Sequence, residues 1–327
     1  MKLFVTGASG FVGSAVVAAA IARGHEVVRL VRRAEPEGGA RVTDAVGDIR
    51  HPASWRDSLV GVDAVIHLAA AAGGDFHTQF SSTVLGTEAL LGVMRDVGVH
   101  RLVHVSTFSV YDYRSIPVGS LLDESSPIEA HPLDRDEYAQ TKLVQEQLVH
   151  DFALSGGEVT IVRPGAVYGA GKLWDAGLAV RLSRGVGLAY SPLARQKLTY
   201  LENCAEAIVL AAERPEAIGA TVNIVDDDLP TQRGFARAQR RAGFVVPRSV
   251  PVPYRVAILT ASTLALVNRR FAGGKAKLPA FVVPAKLDAQ YRPLRYSNET
   301  AKRVLGWRPR YTLDEALLRV RDVAAQT

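Results

Sequence analysis

Cysteine is nearly missing from this chain: Cys204 is the only one in 327 residues. A single thiol permits no intrachain disulfide and no cysteine-based metal site, so no metal is expected. It also fits a reducing compartment. No uninterrupted apolar run reaches the ~18 to 20 residues that a membrane span requires. The nearest, 256–267 (VAILTASTLALV), is short and carries Thr and Ser, and it reads as a core or pocket helix. No charged leader with a cleavage site precedes the first strand, so the expectation is a cytoplasmic protein without a signal peptide. Repeats and low-complexity tracts are absent too.

Acids are scarce in one long stretch. Between Arg233 and Arg310 there are seventeen Lys or Arg residues and only Asp288 and Glu299, whereas the whole chain carries a formal charge of +6. The simplest reading is a solvated basic face. Sharper readings are attraction of an anionic substrate or peripheral contact with an anionic membrane surface. Nucleic acid is not an expected partner, because no recognition motif accompanies the charge. The remaining composition, 48% hydrophobic and 22% charged, is that of an ordinary globular protein. The length suits one large domain with a smaller lobe.

What the chain has is an opening stretch, KLFVTGASGFVG at 2–13, that organises the rest. Leu3, Phe4 and Val5 are a short apolar run with β character. Gly7, Gly10 and Gly13 follow at three-residue spacing, and 14–23 (SAVVAAAIAR) is a helix-forming run. Strand, glycine turn and helix start make the arrangement that holds a pyrophosphate, since glycines admit the phosphates and the helix offers free N–H groups. The spacing is G-x-x-G-x-x-G rather than the commoner G-x-G-x-x-G.

Hydrophobic runs then alternate with helical patterns, the signature of a parallel α/β sheet. Strands are expected at 25–31, 42–47, 64–68, 101–106 and 159–162. Helices are expected at 79–97 and 137–155. Beyond these the rhythm loosens into short strands at 197–201 and 222–225. Helices follow at 205–213, 232–242, 298–305 and 313–323, and 247–253 reads as a proline-rich crossing. The expected fold is α/β: a Rossmann-type doubly wound parallel sheet with a smaller C-terminal substrate-binding lobe. Residues 1–165, with parts of 195–230, would form the nucleotide-binding domain, and 166–195 and 230–327 the lobe.

Tyr138 and Lys142 lie four apart on the helix expected at 137–155, so both project from one face. An ammonium near a phenol favours the phenolate, which makes Tyr138 a candidate general acid or base with a lowered pKa. Ser106 and Thr107 end the strand 101–106, and the carboxyl ends of parallel strands are where open α/β sheets bind ligands.

Six ordered motifs, TGASGFVG (6–13), GDI (47–49), HLAA (67–70), STFSVY (106–111), YAQTK (138–142) and RPGAVYG (163–169), together resemble an extended short-chain dehydrogenase/reductase of the NAD(P)-dependent epimerase/dehydratase type. The resemblance continues weakly through 199–213, 222–228 and 304–317. It implies that Gly7, Ser9, Gly10, Phe11, Val12 and Gly13 cradle the cofactor diphosphate. Asp48 and Ile49 would hold the adenine, and Leu68, Ala69 and Ala70 would line the cleft. Pro164, Ala166 and Val167 would pack near the nicotinamide. Thr107 falls where the family places its catalytic Ser or Thr, with Ser106 as the neighbour that could substitute. Tyr138 would move the proton, while Lys142 would bond the nicotinamide ribose. The family usually has Asn at the start of an N-V-x-G-T motif; here Thr83 stands there, and Thr83 is also a candidate cofactor contact.

An acid at the end of the second strand would select NAD. This chain has Arg32 and Arg33 there, which suit a 2′-phosphate and favour NADP over NAD. A largely apolar small-molecule substrate is suggested by 254–267 and 281–283, which would supply apolar wall. Nucleotide-sugar members of the family usually carry an arginine where this chain has Gln196, and the Tyr200-x-x-Asn203 form resembles the 3β-hydroxysteroid dehydrogenase and dihydroflavonol reductase branch. The expected activity is therefore hydride transfer between nicotinamide and an alcohol or ketone. The competing reading is a nucleotide-sugar epimerase or dehydratase with retained NAD(P). The resemblance also implies a homodimer through the helices at 79–97 and 137–155.

Overall fold

The computed structural model of the chain describes residues 1–34, 39–173, 180–181, 186–272 and 282–324. Its centre is a sheet of seven strands: β1 (Lys2–Thr6), β2 (Glu26–Val31), β3 (Val42–Val46), β4 (Ala64–His67), β5 (Arg101–Val105), β6 (Glu158–Pro164) and β8 (Thr221–Ile224). They lie in the order β8-β6-β5-β4-β1-β2-β3, every neighbouring pair parallel. Parallel strands need crossovers, and the helices that supply them cover both faces.

The period-2 alternation of β1 divides the core. Leu3 and Val5 face α1 (Phe11–Ala22) and α4 (Leu201–Glu213), packing on Val16, Ala20, Ile208 and Val209. Phe4 faces α2 (Gly86–Val97) and α3 (Glu137–Leu154), packing among Leu90, Met94, Val149 and Phe152. Each fully buried Val, Leu, Ile, Phe or Met side chain among these stabilises the fold by about 1.5–3 kcal/mol. α2 continues a short helix at Phe76–Phe80 through one π-turn at Ser81–Leu85. α8 (Glu299–Leu305) and Trp307 return to the first of these two cores through Ala301 and Leu305.

A second, smaller layer follows. β7 (Val186–Tyr190) pairs in parallel with β9 (Arg248–Val252), the edge strand of a three-stranded sheet. The stretch read as a proline-rich crossing is thus a strand, and an edge position tolerates Pro251 because no ladder N–H is needed there. Phe235 and Ala238 of α5 (Gln232–Arg241) pack with Tyr168, Leu317 and Val320, the last two on α9 (Leu313–Ala324).

α6 (Tyr254–Ala272) packs Ala257 and Ala261 against Tyr190 and against Leu287 and Tyr291 of α7 (Pro284–Tyr291). The stretch 256–267 is therefore helical, as its composition suggests, but it is not a buried core helix, because much of its outer surface faces solvent. Of the other expected apolar wall, Phe281 lies outside the described residues. Among those residues no helix is long and apolar enough to cross a membrane.

Candidate active site

The strand order reverses between β1 and β4, and the crevice outside their carboxyl ends is where such sheets take ligands. Gly7 ends β1 with φ +69°, a conformation that only glycine adopts freely. A Cβ there would stand 2.9 Å from the Ala69 nitrogen, and one on Gly13 would stand 2.0 Å from the Gly7 carbonyl oxygen. The turn folds back on itself so tightly that only glycine fits at either place. α1 begins at Gly10 without a side-chain cap. The free N–H groups of its first turn, which every helix has, therefore open where Phe11, Val12 and Gly13 line the cleft.

Two adjoining recesses share Gly7, Gly10, Leu68 and Ala70. The first, of about 350 Å³, is lined by Ser9, Arg32, Asp48, Ile49 and Ala69 besides. The second, of about 360 Å³, is lined by Ser106, Thr107, Tyr138, Lys142, Pro164 and Val167. Ser9, Arg32 and Arg33 bound an outer recess beyond the first. Thr83 and Ala166 line none of these three. Thr83 is buried behind the wall, where its Oγ1 accepts from the Ala71 nitrogen at 3.0 Å. The Ala166 N–H donates to the Lys197 carbonyl at 2.6 Å. No residue of 254–267 lines them either.

The GDI motif has a packing logic. A Cβ on Gly47 would stand 2.3 Å from the Ser54 hydroxyl oxygen, and one on Gly86 would stand 2.7 Å from the Ile49 side chain. Asp48 accepts from Arg50 at 2.6 and 2.9 Å, and that pairing holds its carboxyl at about 2.

α3 is capped by Asp136, whose side chain accepts from the Ala139 nitrogen at 2.9 Å. The cap fixes the first turn and so places Tyr138 in the cleft wall. Thr107 and Tyr138 line the same recess, and the Thr107 hydroxyl accepts from the Ser109 nitrogen at 3.2 Å. Burial pushes the phenol pKa up, Thr107 pulls it down, and Asp136 raises it again; the net direction is upward. The expected lowering by Lys142 is therefore corrected. The ammonium donates to the Val105 carbonyl at 2.9 Å and to Gln145 Oε1, not toward the phenol. Burial takes the lysine itself down to about 7, with Glu146 opposing the shift.

Residues that the sequence reading did not single out form the floor. Gln145 Nε2 donates to Thr87 Oγ1 at 2.8 Å and to the Ala69 carbonyl at 3.2 Å, and lies 3.1 Å from His67 Nε2. His67 Nδ1 meets Thr6 Oγ1 at 2.6 Å. This pattern is satisfied by an Nδ1–H tautomer, assigned from the network. Burial, then Lys142, pushes the imidazole down to about 3, so it stays neutral.

A second buried chain starts at Ser106, whose hydroxyl donates to Glu146. Arg163 forks onto the same carboxylate and donates to the Tyr111 hydroxyl at 3.1 Å. Tyr111 in turn donates to Asn223 Oδ1 at 2.8 Å. Burial would raise the Glu146 pKa, but His150, Arg163 and Ser106 outweigh it and hold the carboxyl at about 2. Of these, His150 stands 3.8 Å off, and Arg163 makes the closer contact. Ser106 is thus committed downward and Thr107 toward the cleft. The sequence signal was there: Gln145 and Glu146 follow Lys142 by three and four residues, on the same helix face.

A profile described as the NAD dependent epimerase/dehydratase family matches residues 3–225. The chain is 30% identical to the 4-hydroxy-2-methyl-3-oxo-4-farnesyl-3,4-dihydroquinoline-1-oxide ketoreductase of Stigmatella aurantiaca, over 97% of this chain and 95% of the relative. It is 28% identical to the 2-alkyl-3-oxoalkanoate reductase of Stenotrophomonas maltophilia, over 99% of this chain and 100% of that one. A structure of UDP-glucuronic acid 4-epimerase from Bacillus cereus in complex with NAD superposes with a TM-score of 0.72 at 20% identity. That superposition covers 100% of this chain and 99% of the other, a likeness of fold.

Proposed function

The chain belongs to the NAD dependent epimerase/dehydratase family, as an enzyme of the extended short-chain dehydrogenase/reductase type, and we propose that it transfers hydride between NADP and the alcohol or ketone carbon of a largely apolar small molecule. The observation that carries this reading is that Thr107, Tyr138 and Lys142 line one recess together with Gly7, Gly10 and Gly13 of the glycine turn. When bound, the nicotinamide cofactor supplies or accepts the hydride. The first turn of α1 with Gly7, Gly10 and Gly13 would take its diphosphate, and Arg32 and Arg33 the 2′-phosphate.

Tyr138 holds the proton at its phenolic oxygen and passes it to the substrate oxygen in the reducing direction. Thr107, on the wall of the same recess, offers the second hydrogen bond to that same oxygen. A raised phenol pKa keeps the proton in place until charge develops on the substrate. Lys142, rigidly seated on the Val105 carbonyl and Gln145, brings a buried donor to the cleft floor.

An apolar substrate is supported by the two relatives, whose names give a farnesylated quinoline oxide and a 2-alkyl-3-oxoalkanoate. It is supported too by the surroundings of Gln196. Lys197 donates to the Ala289 carbonyl at 2.7 Å and so spends its ammonium on the backbone, whereas the exposed Arg195 gives one N–H to the Leu229 carbonyl.

The test is Tyr138→Phe assayed with NADPH against a panel of alkyl and aromatic ketones and of UDP-, GDP- and dTDP-sugars. Ketone-dependent NADPH consumption should fall by about 10²–10⁴-fold in the variant, with NADPH binding retained. Sugar conversion without net redox would replace the proposal by the epimerase reading, and undiminished ketone turnover would remove Tyr138 from it.

A further inference from the structure

α6 is a 19-residue helix, about 28 Å long at 1.5 Å per residue. It buries one narrow stripe, Ala257 and Ala261. At 100° per residue the opposite side carries Val256, Leu259, Leu266 and Val267, with Thr263 between them and Arg270 at its C-terminal end, and Phe271 lies nearer the buried stripe. These are not covered: Leu259 is 68% exposed, Leu266 61%, Val256 52% and Phe271 83%. Scattered exposed leucines need no explanation, but four large apolar groups along one helix side do.

The charge around that side is of one sign. From Arg248 to Ala272 there are four arginines, Arg248, Arg255, Arg269 and Arg270, and no acid. Arg255 stands in the first turn of α6, and Arg269 and Arg270 in its last, all exposed. They belong to the basic run of the sequence that begins at Arg233.

We infer that α6 docks flat on an anionic phospholipid bilayer, its outer apolar side in the acyl boundary and its arginines among the headgroup phosphates. A helix with an apolar side, cations at both ends and too little hydrophobicity to span is what lies in the interface plane. A second copy of the chain fits this side poorly. Antiparallel pairing about a two-fold would set Arg255 against Arg269 and Arg270, with no carboxylate in the helix or its lead-in strand to compensate. α6 also closes the lobe through Tyr190, Leu287 and Tyr291. Docking there would hold the substrate lobe at the surface in which an apolar substrate dissolves, although vesicle binding itself does not depend on the reaction proposed above.

The test is co-sedimentation of the purified full chain with vesicles of phosphatidylcholine alone or with about one-third phosphatidylglycerol, at low and high salt. Three arginines near an anionic surface should favour the mixed vesicles by roughly a hundredfold in partition coefficient, and high salt should remove most of that gain. Leu259→Glu with Leu266→Glu, and separately Arg269→Glu with Arg270→Glu, should each lower binding more than about tenfold. Both pairs are exposed, so NADPH binding and ketone turnover in detergent-free buffer should be unchanged and report intact folding. Absence of wild-type binding to mixed vesicles, equal binding to both vesicle types, or binding indifferent to both variants would overturn the inference. So would a dimer in solution that Leu259→Glu with Leu266→Glu dissociates while vesicle binding is absent.

Discussion

Replacing Arg32 and Arg33 together by alanine should erase a preference for NADPH over NADH. The two guanidinium groups bound the outer recess beyond the first, with Ser9 beside them. A phosphomonoester brings a charge of about −1.5 to −2 at neutral pH and three acceptor oxygens. Coulomb attraction between unit charges at about 4 Å is worth ~1 kcal/mol in water and ~4 kcal/mol at an effective dielectric constant of 20. Arg32, Arg33 and Ala34 are all exposed, so the weaker figure is the better guide. Two arginines plus one charge-assisted hydrogen bond then give about 2–3 kcal/mol, a factor of roughly 30–150 in the ratio of dissociation constants. The carboxylate that lines the first recess, Asp48, does not compete, because Arg50 already holds it.

The assay is equilibrium titration of wild type and variant with NADPH and NADH, following cofactor fluorescence at two ionic strengths. The wild-type ratio should shrink with salt, as an exposed phosphate contact must, while NADH affinity should change less than about threefold. Arg32→Asp should go further and place NADH ahead. Equal wild-type affinities, or a ratio untouched by Arg32→Ala with Arg33→Ala, would refute the assignment of the recess to a 2′-phosphate.

Three other outcomes follow from particular contacts. Thr107→Ala should lower kcat by about 10²-fold and cost about 1 kcal/mol of stability, the cap its hydroxyl gives the Ser109 nitrogen, whereas Ser106→Ala should lower stability by ~1.5–3 kcal/mol, the value of a hydrogen bond to a charged group, with kcat little changed; steady-state kinetics beside thermal melts separates them. Glu146→Gln should destabilise the protein by about 3–5 kcal/mol at pH 7, because Arg163 is left buried and unpaired. The folded carboxyl stays ionised down to about 2 against an ordinary 4.5, so its contribution is complete above about pH 4.5 and fades as pH falls toward 2. Denaturant titrations between pH 7 and pH 3 should therefore show the gap between wild type and variant narrowing. Cys204 is fully buried and burial raises its thiol pKa. Ellman's reagent should leave it untouched in the native protein and titrate one thiol in denaturant.

The main sheet was legible because its signals are local. Leu3 to Val5 alternate between two cores, Gly7 must have positive φ, and the apolar runs ahead of residues 31, 68 and 106 have no other reading once they alternate with helices. The lobe was less legible, for two reasons. Pro251 argues against a strand unless the strand is known to lie at an edge, and only the pairing with Val186–Tyr190 reveals that. The apolar run 256–267 looks like core because composition does not say which sides of a helix are covered.

At the site, the spacing of Tyr138 and Lys142 correctly puts both on one side of α3, but helical periodicity stops at Cβ. A lysine side chain has four further bonds to choose a direction, and here the choice is made by what lies beneath it. His67 ends β4, a strand buried on every residue, and a polar ring in such a strand must be paired. Gln145 meets that demand from α3, three residues beyond Lys142, and its carbonyl oxygen is then free to take the ammonium. Glu146, one residue further, meets the parallel demand of Arg163, which closes β6. The polar residues inside the strands thus select which α3 side chains turn inward. With Gln145 and Glu146 spent on the floor, Tyr138 and Thr107 are the hydroxyls that face the open side of the cleft. Gln145→Leu should accordingly leave the first turn of α3 intact while freeing Lys142 to swing. The change it produces should be a weaker ribose contact, read as a raised NADPH dissociation constant, before any loss in the proton step at Tyr138.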